Sequence, residues 1–150
     1  MKFAIIVSKF NESLTQKLCD GAKEVFLKNN VSEDNIDVFR VPGSFEIPLM
    51  AQNLARTKKY VGLVAIGIII KGETDHYQHV TEGAVSGILK VSLENNIPIG
   101  NCVLACHTWA QAEARCSLSS SGPAGGSRIN RGCEAAEAVL EMVELNPPLP

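Results

Sequence analysis

The sequence predicts an α/β fold, a three-layer α/β/α sandwich built on a four-stranded parallel sheet. Three observations predict it. Residues 61–70 form an almost unbroken apolar run, β-branched at 61, 64, 66, 68, 69 and 70 and without polar alternation. That is how a strand covered on both faces reads, and such strands are normally parallel. Strand-like and helix-like segments alternate four times, with one helix to spare, which calls for helices on both faces and right-handed crossovers. Finally, each strand ends in breaker residues and runs into a segment of helical periodicity.

Residues 2–8 are the first strand, with Phe3-Ala4-Ile5-Ile6-Val7 at its centre. Lys9-Phe10-Asn11-Glu12 leaves it. Ser13 and Gln16 have capping-box spacing, and Leu14, Leu18, Ala22, Val25 and Phe26 make a helical stripe closed by Asn29-Asn30. Residues 35–41 are the second strand. Pro42-Gly43 breaks it, and a helix from about Phe45 to Arg56 tolerates Pro48 in its first turn. The third strand, 60–70, is too short to cross a bilayer, which needs about 20 apolar helical residues. It stops at Lys71-Gly72-Glu73-Thr74-Asp75-His76. Gly72 supplies backbone freedom, Thr74 or Asp75 caps, and Gln78 completes a second capping-box pattern. Val80, Ala84, Val85, Ile88 and Leu89 continue as a helix to about Asn95. Pro98 precedes the fourth strand, 99–106. Thr108 with Gln111 opens a short helix through Trp109, Ala112 and Arg115 to about Cys116. Residues 117–127, S-L-S-S-S-G-P-A-G-G-S, read as a loop by composition and match no phosphate-binding glycine pattern. A last helix starts near Asn130, with Ala135, Val139, Met142 and Val143 on one side, and ends at Asn146-Pro147-Pro148.

The 150 residues suit one domain, 1–150, with no internal repeat. Fourteen basic against sixteen acidic residues leave a charge of −2, so bulk electrostatics points to neither nucleic acid nor membrane as a partner. No secretory leader is visible. Five cysteines, an odd number with no C-x-x-C, read as reduced thiols in a cytoplasmic protein. Cys102, Cys106 and His107 fit no usual zinc spacing, so no metal is expected.

Ligands of parallel sheets bind outside the carboxyl ends of the strands. Phe10, Ser44-Phe45-Glu46 and the stretch from Gly72 to His76 each follow a strand directly, so topology alone gathers them on one edge. Free amides at a helix start favour an anion there, and an imidazole beside it can move protons near neutral pH. Phe10 is either a loop aromatic folded onto the core or a platform for a planar ligand. Glu46 suits the helix dipole and equally a polyol or an amino-heterocycle. His79, one turn after His76, reads as a helix-surface or interface residue.

The segments S-K-F-N-E at 8–12, R-V-P-G-S-F-E-I-P at 40–48, G-I-I-I-K-G-E-T-D-H-Y at 67–77 and E-A-A-E-A-V-L-E-M at 134–142 resemble the 6,7-dimethyl-8-ribityllumazine synthases of riboflavin biosynthesis. The resemblance implies a flavodoxin-like fold. It also implies condensation of 5-amino-6-(D-ribitylamino)uracil with 3,4-dihydroxy-2-butanone 4-phosphate, two small-molecule substrates, without cofactor or metal. On the matching positions, Phe10 would stack on the pyrimidine, and Ser44, Phe45 and Glu46 would hold ring and ribityl chain. Ile68, Ile69 and Ile70 would line the pocket. Gly72, Glu73 and Thr74 would offer amides to phosphate, His76 would shuttle protons, and Arg115 of a neighbouring copy would pair with the phosphate. The chain departs from the family at Asn101, where an aromatic from the adjacent subunit is usual. The site is then closed differently, or Trp109 helps. It departs again at Arg131, where lysine is common. The link 117–127 is longer than in shell-forming members, and the N-terminal extension of many of them is absent. Both features imply a homopentamer with sites at subunit interfaces. Two competing readings are a flavodoxin-like module that holds a flavin or lumazine without turnover, and a receiver domain. The receiver needs an acidic cluster at strand ends, where this chain has Ser8-Lys9 and Ile70-Lys71.

Overall fold

In the computed structural model, which describes residues 1–117 and 130–146, strands and helices alternate from the first residues on. They are β1 (Phe3–Ser8), α1 (Glu12–Lys28), β2 (Ile36–Val41), α2 (Ile47–Arg56), β3 (Gly62–Ile70), α3 (His76–Asn95), β4 (Ile99–Cys106), α4 (Trp109–Ala114) and α5 (Arg131–Leu145). Most of the predicted 117–127 loop and the terminal Pro147-Pro148 lie outside the described residues.

The sheet is wholly parallel, in the order β2-β1-β3-β4. This is the flavodoxin-like sandwich, with β1 and β3 at its centre. Side chains alternate across a strand, and each face has its own core. Phe3, Ile5, Val7, Val64, Ile66 and Cys102 pack under α1 and α5; Ala4, Ile6, Leu63, Ala65 and Val103 pack under α2 and α3. Both faces are covered, so the central strands have no polar positions to alternate. Phe3 stacks on Phe26 of α1 at 4.6 Å between ring centroids. All five residues of the predicted α1 stripe are buried. Leu89 of α3 and Met142 of α5, by contrast, project outward from the single chain, 58% and 47% exposed.

Helix starts differ most from expectation. The Thr108–Gln111 capping box is present, both hydrogen bonds formed. The Ser13–Gln16 box is not: α1 starts at Glu12 behind Asn11, whose backbone is left-handed (φ 61°). The Asn11 amide donates instead to Ile68 O at 2.9 Å, tying the β1 exit to the end of β3, and Gln16 accepts from Arg40 at 2.6 Å. Asp75 caps α3 by position only, without a side-chain bond, and Gln78 turns to Glu82. A 3-10 turn, Ser44–Glu46, precedes α2, with Pro48 at the helix start. Gly72 does not occupy the left-handed region; a Cβ there would meet open space. Asn130 is the N-cap of α5. It accepts from Gly132 N and Cys133 N, and its amide donates to Lys17 O and Cys116 O.

At the amino-terminal edge of the sheet, Tyr60 Oη donates to Asp37 Oδ2 at 2.6 Å and Lys2 Nζ lies 3.0 Å from the same oxygen. The Tyr60 hydroxyl, then Lys2, hold the Asp37 carboxyl below the usual carboxylate range. Burial, then the bond to Asp37, push Tyr60 up to about 12. Among the described residues, no helix is long and apolar enough to cross a membrane.

Candidate active site at the carboxyl edge of the sheet

Three loops meet where β1, β2 and β3 end. Lys9 N donates to Val41 O at 2.8 Å, which joins the β1 exit to the end of β2. Buried Thr15 ties α1 back to Ser8 O at 2.9 Å. The Ser44–Glu46 turn settles on β3 because position 67 is glycine: any Cβ there would run into Ser44 Oγ. The same turn packs on α3, where a Cβ at Gly83 would lie 3.1 Å from the Phe45 ring. Lys71 N donates to Cys106 O at 2.9 Å, fixing the start of the β3–α3 loop, and His76 N reaches Thr74 Oγ1 at 3.4 Å.

The loops enclose a cavity of about 750 Å³, within the range of small-molecule sites. Its lining includes Phe10, Ser44, Phe45, Glu46, Ile68, Ile69, Ile70, Gly72, Thr74 and His76. The structure therefore brings together ten of the residues singled out from sequence. Phe10 and Phe45 are 70% and 63% exposed; neither is folded into the core, and both line the cavity. Pro42, Gly43, Tyr77, His79 and Val80 line it as well. His79 is exposed on α3, as its reading as a surface residue expects, and it lines this cavity too.

Four of the residues singled out do not line the cavity of a single chain. Glu73 is exposed in the β3–α3 loop. Asn101 lies midway along edge strand β4, opposite Ala65, and its side chain accepts from Val103 N at 3.1 Å. Arg115 follows α4, its guanidinium donating to Gln111 O at 2.7 Å. Arg131 pairs with Glu134 at 2.6 Å, and its backbone N–H bonds Arg115 O at 3.0 Å.

The thiols are poor nucleophiles. Burial pushes Cys19 and Cys116 up to about 11 and Cys102 further still. No group of three or more metal-ligating side chains occurs among the described residues. What the cavity offers is aromatic faces, one carboxylate, imidazoles and backbone amides at a helix start. Fold and cavity define an α/β protein with room for a small organic ligand at the carboxyl edge of its sheet and with a carboxylate and imidazoles lining that space.

Comparison with known proteins narrows this class. The family model described as 6,7-dimethyl-8-ribityllumazine synthase matches residues 1–147. Curated relatives carrying that name include one from Stenotrophomonas maltophilia (strain K279a), 41% identical over 99% of this chain and 91% of its own. Another, from Xanthomonas euvesicatoria pv. vesicatoria, is 41% identical over 99% and 92%. A third, from Pediococcus pentosaceus, is 39% identical over 97% and 88%. The chain belongs to the 6,7-dimethyl-8-ribityllumazine synthase family.

Proposed function

We infer that the protein is a transferase that condenses 5-amino-6-(D-ribitylamino)uracil with 3,4-dihydroxy-2-butanone 4-phosphate to give 6,7-dimethyl-8-ribityllumazine. Family membership over nearly the whole chain supports the reaction. The observation that carries the site assignment is the single cavity shared by His76, the Ser44–Glu46 turn and the loop before α3.

The chemistry follows from those groups. The amine of the uracil adds to the ketone and one water leaves, giving an imine. Loss of a proton from carbon and departure of phosphate follow; ring closure then expels a second water. Each step moves a proton near neutral pH. An imidazole, with an unperturbed pKa of about 6.5, can give or take it, and this is the role of His76. Phe10 stacks on the pyrimidine, Ser44, Phe45 and Glu46 hold ring and ribityl chain, and Ile68, Ile69 and Ile70 form the apolar wall. Gly72, Glu73 and Thr74 contribute backbone amides to the phosphate. Much of the acceleration comes from holding two reactants together.

Asn101, Arg115 and Arg131 enter as residues of a neighbouring copy in a homopentamer whose sites straddle subunit interfaces. Arg115 then supplies a fork to the phosphate. Exposed Leu49, Leu89 and Leu93 on α2 and α3 are in keeping with packing against another copy. The cytoplasm is the expected compartment, in keeping with free thiols, four of them buried.

The test is to mix the protein with both substrates and follow lumazine absorbance and released phosphate together. One phosphate per lumazine is expected, and His76→Ala should slow turnover by about 10²-fold or more. A protein that binds lumazine but releases no phosphate overturns the reaction. An undiminished His76→Ala rate overturns the role of that imidazole. Light scattering should give about 80 kDa for five 16.1 kDa chains; megadalton particles overturn the pentamer.

A further inference from the structure

Among the described residues, the cavity lining of one chain contains no lysine or arginine. Its ionisable side chains there are Glu46, His76, Tyr77 and His79. Of these described side chains, only the imidazoles can offer a phosphate in this cavity a positive charge. His76 and His79 stand three residues apart in the first turns of α3, where side chains share one helix face about 5–6 Å apart. Among the described residues, neither imidazole ring is committed to a hydrogen bond; the backbone N–H groups bond instead, His76 to Thr74 Oγ1 at 3.4 Å and His79 to Asp75 O at 3.2 Å. One imidazole cannot both stay charged against a dianion and cycle its proton through the chemistry. Two can divide these tasks.

We propose that His79 is a second functional imidazole of the site, one that holds a proton against the substrate phosphate while His76 moves protons on carbon and nitrogen. The proposal rests on the reaction inferred above and adds an anion-binding residue to it. The other titratable groups near His79 in the chain or the cavity come from four elements. Glu46 reaches the cavity from the turn before α2. Lys71, Glu73 and Asp75 lie in the β3–α3 loop, and Glu82 is held by Gln78 on α3 itself. Behind it, Tyr77 meets His107 of the β4–α4 loop edge-on, centroids 6.2 Å apart.

His79→Gln removes the charge at an exposed position, so folding is not at risk. The readout is the variant to wild-type ratio of KM for the phosphorylated ketone across pH. A phosphate monoester titrates near pH 6 itself, and the ratio cancels that. The ratio should be about tenfold at pH 6 and fall to about twofold at pH 8, as the imidazole loses its proton in wild type. KM for the ribitylaminouracil should change less than about twofold. Inorganic phosphate should move the His79 ring-proton resonance and raise its titration midpoint. The chain has three histidines, so His76→Gln and His79→Gln spectra assign the signals. A KM ratio flat with pH, or a His79 titration identical with and without phosphate, overturns the proposal. Absence of lumazine from wild-type enzyme overturns instead the reaction on which it rests.

Discussion

Replacing Gly67 by alanine tests whether the floor of the cavity is set by close approach of the Ser44 turn to β3. The new methyl would overlap Ser44 Oγ and come within 3.2 Å of Ser44 Cβ and 3.4 Å of Ile47 Cδ1. Ser44 is 5% exposed and Ile47 fully buried, so neither side chain has solvent to retreat into. Overpacking of this kind costs about 1–3 kcal/mol, and two buried neighbours put Gly67→Ala near 2–3 kcal/mol. For a chain of this size that lowers Tm by about 5–10 °C, read by circular dichroism at fixed protein concentration. The displaced turn carries Phe45 and Glu46, so KM for the ribitylaminouracil should rise as well. Ser44→Gly alone should cost about 1 kcal/mol. Combined with Gly67→Ala it removes both close contacts and leaves only Ile47 Cδ1 at an ordinary distance. The double variant should therefore recover about 2 kcal/mol relative to the sum of the singles. Strict additivity, or a Gly67→Ala Tm within about 1 °C of wild type, would refute the reasoning.

Asn130→Ala removes a cap and strips donors from two carbonyls in one step, Lys17 O and Cys116 O. About 3–4 kcal/mol of stability should go, measured as a urea midpoint at constant m. Comparing wild type with Tyr60→Phe should reveal a pH window. The depressed Asp37 carboxyl contributes above about pH 4 and is lost as pH falls through its folded value. The Tyr60 hydroxyl, raised to about 12, contributes below about pH 10 and is lost as pH climbs toward 12. The wild-type advantage should be flat from about pH 5 to 9 and shrink on either side; a constant advantage argues against the Tyr60–Asp37 bond. The buried thiols should resist a disulfide reagent at pH 8. Native Cys19, Cys102 and Cys116 are expected to react at least about 100-fold more slowly than in the urea-unfolded chain, with half-buried Cys133 the fastest. Rapid labelling of several thiols per native chain would contradict their burial.

The strands were readable because burial on both faces leaves a composition that little else produces; all four fall within two residues of their expected bounds. Helix starts were less readable, for a physical reason. A capping residue chooses between its own helix and the rest of the molecule. Asn11 and Gln16 chose Ile68 and Arg40, partners remote in sequence. Of the three predicted capping boxes, Thr108–Gln111 alone kept its local bonds. Seven of the ten cavity residues were legible because strand ends in a parallel sheet share an edge whatever the strand order; Ile68, Ile69 and Ile70 came from the resemblance. Asn101, Arg115 and Arg131 rest on resemblance, and no rule of single-chain topology brings them to that edge. His79 reads from sequence as a surface residue and is exposed; that it also lines the cavity shows only once α3 is set against the neighbouring loops.

The tether at Asn130 has one more consequence. Its amide holds Cys116 O, and the next N–H holds Arg115 O. Residues 115–116 and 130–131 thus form a clasped neck. Extra length there is inexpensive, since closure entropy grows only with the logarithm of loop size. Such a neck makes this spot a natural port for grafting a peptide tag or a whole guest domain while both arginines keep their stations.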